Sequence, residues 1–281
     1  MSKHDTPDDK WWETSRSYIR AAEDLEFLQQ EELRPVRLQL ELLKPELTLQ
    51  KHQIRSTIVV FGGTRIWEKA AAEKRLSEIA AQVAKKPKDE RLRRLLTAAE
   101  RLLGLSRFYD EARNFGRIVS EANLSDGSVD YVIVTGGGPG IMEAANRGAY
   151  EIGAESIGFN ITLPHEQSPN QYITPDLCFQ FHYFAIRKMH FLLRAKGLVA
   201  FPGGFGTMDE LFEALTLVQT QKITPLPIVL MGREFWEEVI DWNALVNNGT
   251  IDPEDIELFV YAETAQEAWD YIREFRANNR G

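Results

Sequence analysis

Residues 197–221 read "GLVAFPGGFGTMDELFEALTLVQTQ". An apolar run closes on glycines, and from Thr207 apolar residues return at helical spacing. Buried strand, glycine turn and helix, in that order, make half of a β-α-β unit. Parallel strands need such crossovers, so the pattern should recur along the chain. It does. "STIVVFGGTRI" (56–66), "DYVIVTGG" (130–137), "SIGFNI" (156–161), "LCFQFHYF" (177–184) and "LPIVLMG" (226–232) each read as a strand. Helices are predicted at "PGIMEAANRGAYEIG" (139–153), "AIRKMHFLLRAK" (185–196), 207–221, "EFWEEVIDWNALVNN" (234–248) and "TAQEAWDYIREFRAN" (264–278). Residues 66–123 are helical and highly charged. The fold class expected is α/β, a Rossmann-like parallel sheet with helices on both faces.

The first part of the chain differs. "WWETSRSYIRAAEDLEFLQQEELRPVRLQLELLKPELTLQ" (11–50) has helical spacing and many charges, with Pro35 and Pro45 expected to interrupt it. It predicts an N-terminal helical extension over 1–54, packed on the main domain or on another subunit. The Rossmann-like domain is expected over 55–281.

Composition narrows the classes. The formal charge of −9 argues against nucleic acid as the main partner. A single cysteine, Cys178, excludes an internal disulfide and fits a reducing compartment. The five histidines show no metal-ligand spacing, and no apolar run approaches the roughly 18 residues of a membrane span. The start, "MSKHDTPDDKWWETSR", is polar rather than a leader. A cytoplasmic protein with no metal, no cofactor and no membrane partner is expected.

Three predicted strands end in glycine, at "VVFGGTR", "VIVTGGGPG" and "VAFPGGFGT". Ligands of open α/β sheets bind beyond the carboxyl ends of the strands, so three such turns point to a pocket. The dinucleotide fingerprint fails, because its third glycine falls on Ile141 or Glu143 and the following strand ends without an acid. No Gly-Lys-Ser/Thr triplet follows any turn, which disfavours a P-loop. A single phosphate suits "PGGFGT" better. Gly203, Gly204 and Gly206 let backbone amides approach an anion, and Thr207 adds a hydroxyl at a helix start. "TGGGPG" is a second turn of this kind, or equally a tight strand-to-helix turn.

Acids follow the first turn at once: Asp209, Glu210 and Glu213. Thr207-x-x-Glu210 is also a capping-box pattern, which would make Glu210 a structural residue. Upstream, the helix at 185–196 is apolar nearly all round and so is expected to be buried. Arg187 and Lys188 lie in its first turns, where the helix dipole disfavours cations. For two adjacent cations so placed, an anionic ligand is the favoured explanation.

These residues resemble a known family. "PGGFGTMDE" fits a PGGxGTxxE motif with the "RK" of "AIRKM" as its companion, and "VFGGTRI", "GGGPGIMEAANRGA", "LPHEQSPN" and "FEALTLVQT" fall in order. The chain resembles the LOG ("lonely guy") family of cytokinin riboside 5′-monophosphate phosphoribohydrolases over roughly residues 55–275, in its larger bacterial branch. Members have often been labelled lysine decarboxylases, yet no pyridoxal-phosphate lysine context is visible. The resemblance implies hydrolysis of the N-glycosidic bond of a nucleoside 5′-monophosphate, AMP-like or cytokinin-derived, to free base and ribose 5-phosphate. It implies Arg187 and Glu210 as the catalytic pair. Gly203, Gly204, Gly206 and Thr207 would hold the 5′-phosphate. Lys188 and the turn carrying Gly137, Gly138 and Gly140 would line the nucleotide pocket. Phe205 and Met142 border the base or simply pack. Glu213 faces ribose or solvent, and Asp209 decorates a helix start. Arg65 reaches the nucleotide or makes a surface ion pair. His182 and His190 are expected to be structural. Family members are commonly dimers or assemblies of dimers. The alternative is a non-catalytic carrier of a phosphorylated cofactor, as in molybdenum-cofactor carriers of similar fold and loop.

Overall fold

The apolar runs pair edge to edge in the computed structural model, which describes residues 10–126, 130–162 and 168–278. Residues 163–167 of "LPHEQSPN" and the first nine residues lie outside that set. Seven strands make one sheet: β1 (Thr57–Phe61), β2 (Val132–Thr135), β3 (Ser156–Ile161), β4 (Cys178–Phe181), β5 (Ala195–Ala200), β6 (Ile228–Met231) and β7 (Phe259–Ala262). The order is β4-β3-β2-β1-β5-β6-β7 and every neighbouring pair is parallel. Strand order therefore reverses beside β1, whose Val59 is in register with Val134 on one side and Leu198 on the other. Such a reversal opens a crevice between the loops that leave β1 and β5.

Eleven α-helices occur among the described residues. They are α1 (Leu25–Leu28), α2 (Arg34–Lys51), α3 (Lys69–Lys85), α4 (Glu90–Leu105), α5 (Arg107–Asp126), α6 (Ile141–Tyr150), α7 (Phe184–Leu193), α8 (Phe205–Gln219), α9 (Arg233–Val239), α10 (Trp242–Asn247) and α11 (Ala265–Asn278). Period-two alternation sends β1 residues to opposite faces, Val59 and Phe61 to one core, Ile58 and Val60 to the other. The first core takes Leu49 of the α2 helix, Phe191 of α7 and Leu211 of α8. The second takes Phe115 of α5, Ile141 of α6 and Trp269 of α11. Both faces are covered, as the near-continuous apolar strands require. No helix among the described residues is long and apolar enough to cross a membrane.

Several expectations are corrected. Pro45 does not interrupt α2; the helix runs through it, and Pro45 is buried. The lost backbone bond costs an isolated helix about 3 kcal/mol, and burial of Pro45 and Leu49 works against that cost. The helix predicted over 234–248 is two helices. Ile240 is extended, and the Asp241 carboxylate accepts the Ala244 amide at 2.9 Å to start α10 afresh. α7 stops at Leu193 rather than near 196, because β5 already begins at Ala195 to pair with Thr57. β7 has no counterpart among the predicted strands. The N-terminal helix packs on the main domain, with Leu49 and Ile54 inside the first core.

Candidate active site

The crevice at the β1/β5 reversal holds a cavity of about 730 Å³, within the range of small-molecule sites. Its walls include Gly62 and Gly63 after β1, Gly136 and Gly138 after β2, and Pro202–Thr207 after β5. The three glycine turns thus converge. They are also joined to one another: the Gly63 amide donates to the Pro202 carbonyl at 2.9 Å, and the Ile141 amide donates to the Gly63 carbonyl at 3.2 Å. Gly140 makes that junction feasible. Its φ is +72°, and a Cβ there would lie 2.4 Å from the Gly63 carbonyl oxygen.

α8 begins two residues earlier than expected. Its N-cap is Gly204, which offers no side chain, and the first helical bond runs from the Met208 amide to the Gly204 carbonyl at 3.0 Å. The amides of Phe205, Gly206 and Thr207 consequently have no carbonyl within the helix. With the dipole, these free donors make the start of α8 an end that favours negative charge, on the cavity wall. Thr207 is the third helical residue rather than the cap, so the capping-box reading of Thr207 and Glu210 fails. A Cβ on Gly203 would fall 2.1 Å from Thr207 Oγ1, so that turn tolerates only glycine without a shift.

Glu210 and Arg187 meet on the cavity wall, Arg187 Nη2 to Glu210 Oε1 at 3.3 Å, with side chains 13% and 7% exposed respectively for Arg187 and Glu210. Burial pushes the Glu210 carboxyl up to about 7, against the pull of Arg187 and Lys188 in the other direction. Burial likewise lowers the Arg187 guanidinium, partly countered by Glu210. Arg187 also lies over the rings of Phe184 and Phe191, at 5.1 and 5.6 Å.

Other predicted site residues fall elsewhere. Lys188 and Glu213 do not line the cavity; Lys188 Nζ pairs with Glu213 at 3.0 Å and Asp209 at 3.1 Å. The two cations at the start of α7 are thus answered by the acids of α8, and no external anion is needed to account for them. α7 is not buried all round either, since Phe184, Met189 and Leu193 are about half exposed. Gly137 and Gly140 are off the wall too. The Gly137 carbonyl accepts from the Asn170 amide at 2.9 Å, and Gly140 sits beneath Gly63. Phe205 stands on the cavity rim and is almost fully exposed. Arg65 and Met142 do reach the cavity, and Arg65 has no ion-pair partner within 4 Å among the described residues. His190 is buried against Phe159 and Phe181. No motif marks Leu102, Leu105 and Phe235, which add apolar side chains to the wall; their positions depend on how α4 and α9 return to the sheet.

α7 itself is held by α2. Tyr183, the N-cap of α7, makes no side-chain cap. The Glu41 carboxylate holds the residues leading into the helix, taking the His182 amide at 2.7 Å and the Tyr183 amide at 3.1 Å. Arg37 Nε donates to the Tyr183 hydroxyl at 3.2 Å. At the other end, Arg194, the C-cap of α7, donates to Glu46 at 2.6 Å.

The chain is similar to several known proteins. A family model described as possible lysine decarboxylase matches residues 142–272. The chain is 26% identical over 156 residues to the Oryza sativa subsp. japonica protein described as probable cytokinin riboside 5′-monophosphate phosphoribohydrolase LOGL3, covering 51% of this chain and 68% of that one. It is 24% identical over 174 residues to the Arabidopsis thaliana cytokinin riboside 5′-monophosphate phosphoribohydrolase LOG3, covering 60% and 76%. Among solved structures, the Moco carrier protein from Chlamydomonas reinhardtii is similar at 19% identity and a TM-score of 0.45, covering 80% of this chain and 99% of that one.

Proposed function

We infer that this chain, a member of the LOG family, hydrolyses the N-glycosidic bond of nucleoside 5′-monophosphates. The observation that carries the reading is a buried carboxylate, Glu210, one helical turn from an anion-binding helix start and on the same cavity wall. A pure phosphate binder gains nothing from a carboxylate there. Cleavage of the glycosidic bond, however, builds positive charge on the ribose, as in other glycoside hydrolyses.

In the proposed mechanism the amides of 205–207 and the Thr207 hydroxyl hold the 5′-phosphate, which fixes one end of the sugar. The Glu210 carboxylate faces the ring, stabilises the developing cation and orients the attacking water. Arg187 keeps the carboxylate in place and offsets its charge. Water adds to the anomeric carbon as the base departs with the bonding electron pair and takes up a proton. The products are free base and ribose 5-phosphate. The apolar wall of Ile66, Leu102 and Leu105 accommodates the base.

A homodimer in the cytoplasm is the proposed setting. α2 and α7 pack together and expose Leu40, Leu43, Leu47, Phe184, Met189 and Leu193, an apolar surface of the kind that marks subunit contacts.

Incubation with AMP, GMP, CMP and UMP, followed by chromatography for free base, tests the reading. Release from at least one is expected. No release from any, with tight binding of a phosphorylated cofactor, would place the chain with the carriers instead.

A further inference from the structure

We propose that Glu41 is a positioning residue for Arg187, so that the N-terminal helix is a working part of the site. The inference rests on the hydrolase reading above for its kinetic consequence, but its structural chain is independent of it. α7 starts on a tyrosine that makes no cap, and a carboxylate 141 positions before His182 takes the amides of His182 and Tyr183, the two residues that lead into its first turn. An acceptor at a helix start satisfies backbone donors that are otherwise orphaned, and its charge is favoured by the dipole. The residue Glu41 holds by its amide is the same one whose carbonyl takes the Arg187 amide, at 3.2 Å. Tyr183 is therefore fixed from α2 on one side and fixes the backbone of Arg187 on the other.

The clamp is anchored in turn. Arg37 bonds the Tyr183 hydroxyl and also donates to the Leu28 carbonyl at 2.8 Å and the Gln30 carbonyl at 2.6 Å. Glu46 holds Arg194 at the far end of α7. Both ends of a ten-residue helix are thus set by α2, and the guanidinium between them must meet Glu210 at 3.3 Å. Loosening the first turn of α7 would let that guanidinium drift from the carboxylate.

Two readouts separate this role from general stability. One is the titration of Glu210, followed by carbon-13 NMR of the labelled full chain. The charged groups facing Glu210 are Arg187 and Lys188 from α7 and Asp209 and Glu213 from α8, with Arg65 on the same cavity wall. Arg187 pulls the midpoint down, so Glu41→Ala should move it further above about 7. The other is the kinetic split: kcat for AMP should fall about tenfold or more with KM little changed, because the phosphate cradle is untouched. Glu41→Gln keeps one of the two acceptor oxygens and should fall between the parent and Glu41→Ala in both properties. If Glu41→Ala proves poorly folded, Tyr183→Phe, which removes only the Arg37 bond, should give the same shift in smaller measure. An unchanged Glu210 midpoint in a folded variant overturns the proposal, whatever the activity. A shifted midpoint in a chain that cleaves no nucleotide would support the clamp and sink the hydrolase reading instead.

Discussion

Glu210 is where chemistry and stability are both exposed to pH. If its ionised form assists cleavage, kcat/KM should fall about tenfold per unit below a midpoint of about 7. Glu210→Gln should abolish that limb and lower kcat about 10² to 10⁴-fold, a range typical of lost acid–base groups. Stability should move the opposite way. A carboxyl raised from 4.5 to about 7 on folding contributes stability that is full below the unfolded value and lost as pH rises through the folded one. The thermal midpoint of Glu210→Gln should therefore gain on that of the parent between pH 5 and 8. A constant difference across that range would mean that Glu210 does not titrate as described. Legibility at this scale was uneven. That Glu210, Arg187 and the Gly203–Thr207 turn lie on one cavity wall was legible in part, because the turn follows a strand and the acid comes one helical turn later. Lys188 and Glu213 misled, since sequence shows a cation next to an arginine but not that an acid from α8 already answers it.

Among elements, the strands ending in glycine were legible because burial on both faces leaves a near-continuous apolar run. β7 was not. "FVYA" is a short run set between the acids of 254–257 and Glu263 and closes on no glycine, so neither its length nor its flanks mark it as a strand. The break between α9 and α10 had a signal, the cap residue Asp241, but it lay inside a run that otherwise reads as one helix. The α2 helix shows the reverse error, because a proline inside a helix is a weaker stop when its ring is buried. The tightest helix pair was equally invisible. α5 and α6 touch through Gly116 and Gly148, where a Cβ would fall 2.1 Å from the Ala145 carbonyl oxygen and 1.9 Å from that of Arg113. Gly148→Ala should consequently cost about 1–3 kcal/mol, as overpacking does. A urea titration should show an earlier midpoint with an unchanged slope. A midpoint equal to the parent's would show that the two helices can separate freely.

For the whole molecule, the exposed row on α2 and α7 sets the expected assembly. Leu43→Glu combined with Leu47→Glu should halve the particle mass in sedimentation while the far-ultraviolet spectrum is kept. A particle of unchanged mass would exclude that face as the subunit contact. The parallel architecture was legible from the alternation of strands and helices alone, whereas the partners of the surface were not, because exposure is a property of the folded chain. The junction of the three glycine loops carries one more consequence. Since Gly63 bonds to Pro202 and Ile141 bonds back to Gly63, the loops order each other without help from a nucleotide. In deuterium exchange the Gly63 and Ile141 amides should already be slow in the empty protein. AMP should then slow chiefly the amides of 205–207, so that the protein meets its ligand with a floor already laid and only one edge left to settle.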